Sequence, residues 1–120
     1  MKTMPIEEFR AAVHAQGVPR EHFAFLCPMC KTVQSSADLI EAGAGQDFDS
    51  VRQYLGFSCV GRFTGAGSPS KQAPGTGCNW TLGGLFRMHE LEVVTEDGVH
   101  HPHFEPVTAD QAQAHQLAKA

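Results

Sequence analysis

The chain has 120 residues, 42% hydrophobic and 18% charged, enough apolar material for one domain with a modest core and too much for a disordered tail. Nine basic against thirteen acidic residues leave a formal charge of −4, which argues against a general nucleic-acid coat protein. No apolar run approaches the ~20 residues of a membrane-spanning helix, and Glu7 and Glu8 stand where an export signal would carry its apolar stretch, so the expectation is a soluble cytoplasmic protein.

Thr3 or Met4 can cap a first helix running to about Gln16, with Ile6, Phe9, Ala12 and Val13 on one face and Gly17 as its stop. Residues 23–26 and 32–34 flank Cys27-Pro28-Met29-Cys30 and read as strand, knuckle, strand. Ser36 is expected to cap a short helix over 38–41, broken by Gly43-Ala44-Gly45. Asp47 or Asp49 opens another over 50–55, ended by Gly56. Residues 57–63 read as a strand carrying Cys59. Residues 64–77, rich in Gly, Ser and Pro, read as a long surface loop. Residues 78–86 return the chain to the core, with Trp80 packed on the knuckle. Two strands over 88–94 and 99–104 form a hairpin around Asp97-Gly98, a pair suited to a turn that needs positive φ. Thr108-Ala109-Asp110-Gln111 is a capping-box pattern opening a C-terminal helix with little to bury beyond Leu117.

The cysteines are Cys27, Cys30, Cys59 and Cys78. In a reducing compartment disulfides are disfavoured, and one tetrahedral metal site uses all four. The C-x-x-C turn sets two thiolates along one edge of a Zn2+ tetrahedron. Cys59 and Cys78, with eighteen residues between them, have to be brought in by the fold, one from a strand and one from a loop edge. His89 is the rival fourth ligand. The competing accounts are a redox C-x-x-C and buried free thiols acting as small apolar residues. Either zinc set is closed, so the metal would be structural. The fold class expected is α+β: a small zinc-ribbon-like antiparallel sheet core, flanking short helices and the Asp-Gly hairpin. The organisation expected is one domain, with an N-terminal helix over 1–17, the metal-stabilised core over 22–105 and the last helix over 108–120.

Charge is segregated along the chain. Arg52, Arg62, Lys71 and Arg87 lie in a stretch without acids; Glu90, Glu92, Glu96, Asp97, Glu105 and Asp110 lie in one without Lys or Arg. Arg62, Arg87, Glu90, Glu92, Glu96 and Asp97 are therefore the candidate partner-binding residues. His100, His101 and His103 are expected to face solvent. The stretch from Gly61 to Lys71 lacks the G-K-[ST] junction of a phosphate loop.

Three blocks, Cys27-Pro28-Met29-Cys30, residues 54–65 (YLGFSCVGRFTG) and residues 78–86 (CNWTLGGLF), resemble a family of small phage and prophage proteins with zinc-ribbon-like character and no established activity. The likeness covers residues 23–105. It implies a mobile-element setting, in which small acidic proteins often inhibit host defence, anti-CRISPR proteins among them. The leading expectation is a non-enzymatic protein that binds a host or phage protein or ribonucleoprotein complex, as monomer or homodimer. The alternatives are a zinc-ribbon nucleic-acid binder, with Trp80 or Phe63 stacking on bases, and a metal-dependent enzyme built on His100, His101, His103 and Glu105.

Overall fold

The computed structural model describes residues 2–68, 75–81 and 91–118. The fold is α+β, with two three-stranded sheets. The outer sheet has the order β1-β4-β5, built from β1 (Lys2–Pro5), β4 (Leu91–Val94) and β5 (His100–His103). The inner sheet has the order β3-β2-β6, built from β2 (Ala24–Leu26), β3 (Val33–Ser35) and β6 (Glu105–Pro106).

The strand β1 replaces the helix cap expected at Thr3 or Met4. Met4 precedes Pro5, and a residue before proline is driven to extended backbone. The chain therefore runs as a strand to Pro5 before α1 (Ile6–His14) begins. This strand pairs in parallel with β4, so the outer sheet is mixed and not the wholly antiparallel core expected. The face of α1 is as anticipated: Val13 is buried, Ile6, Phe9 and Ala12 are half-buried, and Gly17 (φ +69°) follows the helix.

The strand–knuckle–strand reading holds. The strands β2 and β3 are antiparallel, with Leu26 opposite Val33, and β6 joins from the far end of the chain with Leu26 opposite Glu105. Helix α2 (Ser36–Glu41) is capped one residue earlier than expected, by Ser35, whose backbone N–H donates to Asp38 Oδ2 at 2.7 Å. Helix α3 (Phe48–Leu55) is capped by Asp47, whose carboxylate accepts from the Ser50 N–H at 2.9 Å.

Residues 57–63 are not a strand. The N–H groups of Phe57 and Ser58 turn back to the Tyr54 carbonyl, and Gly61–Thr64 forms a helical turn, α4, closed by Gly65 at φ +82°. The apolar residues here line a turn wrapped around Cys59, not the two faces of a pleat. Only Ser58 makes a β-bridge, to Thr81. The stretch read as a loop is anchored at both described ends: Gly75 N–H donates to Cys30 O and Asn79 N–H to Gly67 O. Lys71, Gly83, Gly84, Leu85 and Phe86 lie outside the described residues.

The Asp97-Gly98 hairpin forms as expected, with Gly98 at φ +82°. Asp97 is exposed, and the Thr95 hydroxyl and Val99 N–H that it accepts from hold its carboxyl below the usual range. The last helix, α5 (Ala109–Ala118), opens on the expected box: Thr108 N–H donates to Gln111 Oε1, and Gln111 N–H to Thr108 Oγ1. Its buried residue is Ala112, against Ala24 and Val107, whereas Leu117 is 75% exposed. Two buried glutamines stitch the layers. Gln16 bonds both backbone groups of Ala24 and the Val107 carbonyl, and Gln34 spans β3 to the Cys59 turn through Leu55 O, Ser58 O and Val60 N.

His103 does not face solvent, contrary to expectation. Its ring meets Phe9 and Phe25 edge-on, and its Nδ1–H donates to the Phe104 carbonyl at 2.7 Å. Burial pushes its pKa below 6.5, only partly opposed by that bond. The neutral ring is the folded form, so the unfolded chain takes up the proton first. Its contribution is whole above about pH 6.5 and is lost as pH falls from there toward the folded value. His103→Phe should therefore flatten the decline of unfolding free energy between about pH 7.5 and 5, measured by urea titration. Acid-labile features common to both proteins cancel in the difference; parallel curves would refute it.

Candidate metal centre

The four cysteines come from three places and end in one. Cys27 and Cys30 sit on the knuckle between β2 and β3, Cys59 precedes α4, and Cys78 follows the 64–77 stretch. All four are buried, and all four Sγ atoms lie within 4.8 Å of one another. Cys27 Sγ is 3.9 Å from Cys78 Sγ, and Cys30 Sγ is 3.7 Å from Cys59 Sγ. Those separations are far too long for a disulfide. They match the edge of a sulfur tetrahedron around a cation at about 2.3 Å per bond, which is about 3.8 Å.

Each turn folds its backbone onto its sulfur. Cys27 Sγ accepts from the N–H groups of Met29 and Cys30, Cys59 Sγ from Gly61 and Cys78, and Cys78 Sγ from Trp80. An N–H two residues on recurs at all three, so Cys59-Val60-Gly61 and Cys78-Asn79-Trp80 do what the C-x-x-C turn does. This explains why Cys59 lies on a turn. Trp80 reaches the centre through its backbone; its ring stacks on Phe104, with centroids 5.9 Å apart.

The electrostatics call for a cation. The bond from Cys27 holds Cys59 down to about 5, and the same pairing, with burial, pushes Cys27 up. Burial pushes Cys78 up to about 12. Two thiolates at such spacing repel by about 4 kcal/mol at an effective dielectric of about 20. Sulfurs this close ionise together only around a positive charge, and a coordinating metal deprotonates its thiols outright. The donor set therefore fits a tetrahedral, sulfur-preferring ion.

Thr32 supports the centre. Its Oγ1 accepts from Gly77 N–H at 2.8 Å and lies 2.9 Å from Cys30 Sγ, as a hydroxyl donor. Thr32→Val keeps the shape and removes both bonds. It should weaken metal binding by about 10-fold or more, measured by competition with a chromophoric chelator; unchanged affinity would show the hydroxyl to be incidental.

Among the described residues, these cysteines are the one group of three or more His, Cys, Asp and Glu side chains close enough to share a metal. His100 bonds to Glu92 at 3.0 Å, Glu105 pairs with Lys2 at 3.0 Å and the His103 ring packs on Phe9 and Phe25, so these residues do not converge. The candidate partner residues divide. Arg62 is exposed on α4 beside the centre; Glu92 is half-buried on β4; Glu96 and Asp97 are exposed at the hairpin turn. His89, Arg87 and Glu90 lie outside the described residues. Thr32, Gln16 and Gln34 were not foreseen, since a polar residue in a short strand or at a helix end ordinarily signals solvent.

No described helix is long and apolar enough to cross a membrane. Comparison with curated proteins and with solved structures finds no match. A family model does match, over residues 5–107, which take in β2 to β6 and all four cysteines: the chain belongs to the VVA0879-like family.

Proposed function

We propose that this chain is a non-enzymatic interaction protein whose fold is held by one structural Zn2+ on Cys27, Cys30, Cys59 and Cys78. The observation that carries this reading is the buried set of sulfurs at tetrahedral spacing. Four sulfur ligands leave no position for a water or substrate, and an open position is what a catalytic zinc keeps. The metal would contribute rigidity, and the chain's exposed surface would contribute recognition.

The partner is a host or phage protein or ribonucleoprotein complex in the cytoplasm, and the activity is inhibition of a host defence of the anti-CRISPR kind. That finer reading is supported by the resemblance of the three cysteine-bearing blocks. The test is native mass spectrometry with elemental analysis, then affinity capture at low salt from a phage-bearing host. One zinc per chain and a stoichiometric host complex are expected. Iron in the site would change the metal and keep the scaffold. A metal-free, fully folded chain would end the reading.

A further inference from the structure

We propose that a groove beside the metal centre binds single-stranded nucleic acid. The groove, about 520 Å³, is lined by Gln53, Tyr54, Phe57, Arg62, Phe63 and Thr81, with Ser58 at its floor. Three of these residues are aromatic, one is a cation and none is an acid. Tyr54 and Phe63 lie with ring centroids 5.0 Å apart, and Phe57 is 41% exposed, one of the few large apolar side chains left to solvent among the described residues.

Arg62 is exposed, and among the described residues its guanidinium has no carboxylate partner. Its bond to a described residue, Nη1 to the Asn79 carbonyl, is long at 3.4 Å. The floor is polar and satisfied: Ser58 Oγ and Thr81 Oγ1 are 2.7 Å apart, and Thr81 Oγ1 reaches the Phe57 carbonyl. Flat aromatic faces beside a cation that, among the described residues, has no carboxylate partner match a base and its phosphate. Among the described residues no aliphatic side chain lines the groove to receive an aliphatic peptide side chain.

Unstacked bases bind this way through stacking and a guanidinium, without base-pair readout. A duplex presents phosphates with its bases hidden, and the chain's net charge of −4 disfavours that surface. The expectation that Trp80 stacks on bases is replaced: its ring is already taken by Phe104, while Phe63 does line the groove. The turn that sets Ser58 under the groove and turns Arg62 outward carries Cys59 inward, so the same five-residue span serves groove and metal.

This inference deepens the proposed function and rests on it, because an exposed strand is what a ribonucleoprotein partner would offer. The test is fluorescence anisotropy on the zinc-loaded full chain, with labelled oligouridine, oligothymidine and a duplex of matched length. Binding of either single strand, with the duplex at least about tenfold weaker, is expected. Preference for one of the two identifies RNA or DNA as the source. Phe57→Ala, at an exposed position, should weaken binding about fivefold or more. Arg62→Gln should reduce the salt slope by about 0.7.

No anisotropy change at low salt, duplex binding as tight, an unmoved Phe57→Ala, or binding of an acidic peptide alone overturns the groove assignment. Zinc content and melting are read on the same samples. A metal-free chain that still binds single strands keeps the groove and removes the metal reading; one that does not bind removes both.

Discussion

Cys30→Ser is expected to yield a chain that carries no metal in native mass spectrometry and has no cooperative melt. The sulfur of Cys30 lies 3.7 Å from that of Cys59, and the residue belongs to the main core cluster with Cys27, Leu39, Val51 and Phe104. A serine hydroxyl does not give up its proton to zinc as a thiol does, so three thiolates would be left sharing a buried space. Structural zinc binds small domains with an apparent energy on the order of 10 kcal/mol, while a whole domain is stable by about 5–15 kcal/mol. Loss of the ion therefore removes most of what holds the knuckles together. A chelator added to the unaltered chain should have the same effect. A Cys30→Ser melting temperature within about 5 °C of the parent would mean that the cysteines fold without help.

Gly61→Ala should be nearly as damaging, although residue 61 is no ligand. A Cβ there would lie 2.3 Å from the backbone nitrogen of Cys78 and 2.5 Å from its carbonyl oxygen. Neither atom can retreat without moving the Cys78 sulfur. We expect a loss of about 3 kcal/mol, the upper end of overpacking effects, together with weakened zinc binding in the chelator competition. Gly65→Ala, four residues on, is the control. Gly65 sits at φ +82° with nothing within 4 Å of the added carbon, so only local backbone strain of about 1–2 kcal/mol is at stake. The metal should be untouched. If Gly65→Ala proved the worse of the two, or Gly61→Ala bound zinc normally, the close approach of the two turns would be refuted.

The parts of this fold that were legible in the sequence are local ones. The C-x-x-C hairpin is announced by short apolar runs on either side of a turn. The Asp97-Gly98 turn and the Thr108 box are each written within four residues. The ligand set was legible as chemistry, because four thiols, two of them in a C-x-x-C turn, suit a common ion. Its geometry was not. Residues 57–63 carry a strand-like pattern, yet the Gly61 N–H folds back on Cys59 Sγ, and gathering the four sulfurs overrides propensity. The pairing of Lys2 with Leu91 and of Leu26 with Glu105 depends on contacts no local window contains. His103 was misplaced for the same reason: its aromatic neighbours, Phe9 and Phe25, lie far away in the chain.

The parallel pairing of β1 with β4 has a consequence for the order of assembly. During synthesis the first two thiols emerge within four residues of each other, and a nascent hairpin can offer them while much of the chain is still unmade. The first strand has no partner until the far side of the protein has left the ribosome, and pairings of such long sequence separation form slowly. Until then Lys2–Pro5 must wait as an unpaired edge, so availability of the ion in the cell would set how long the growing chain spends without its central staple.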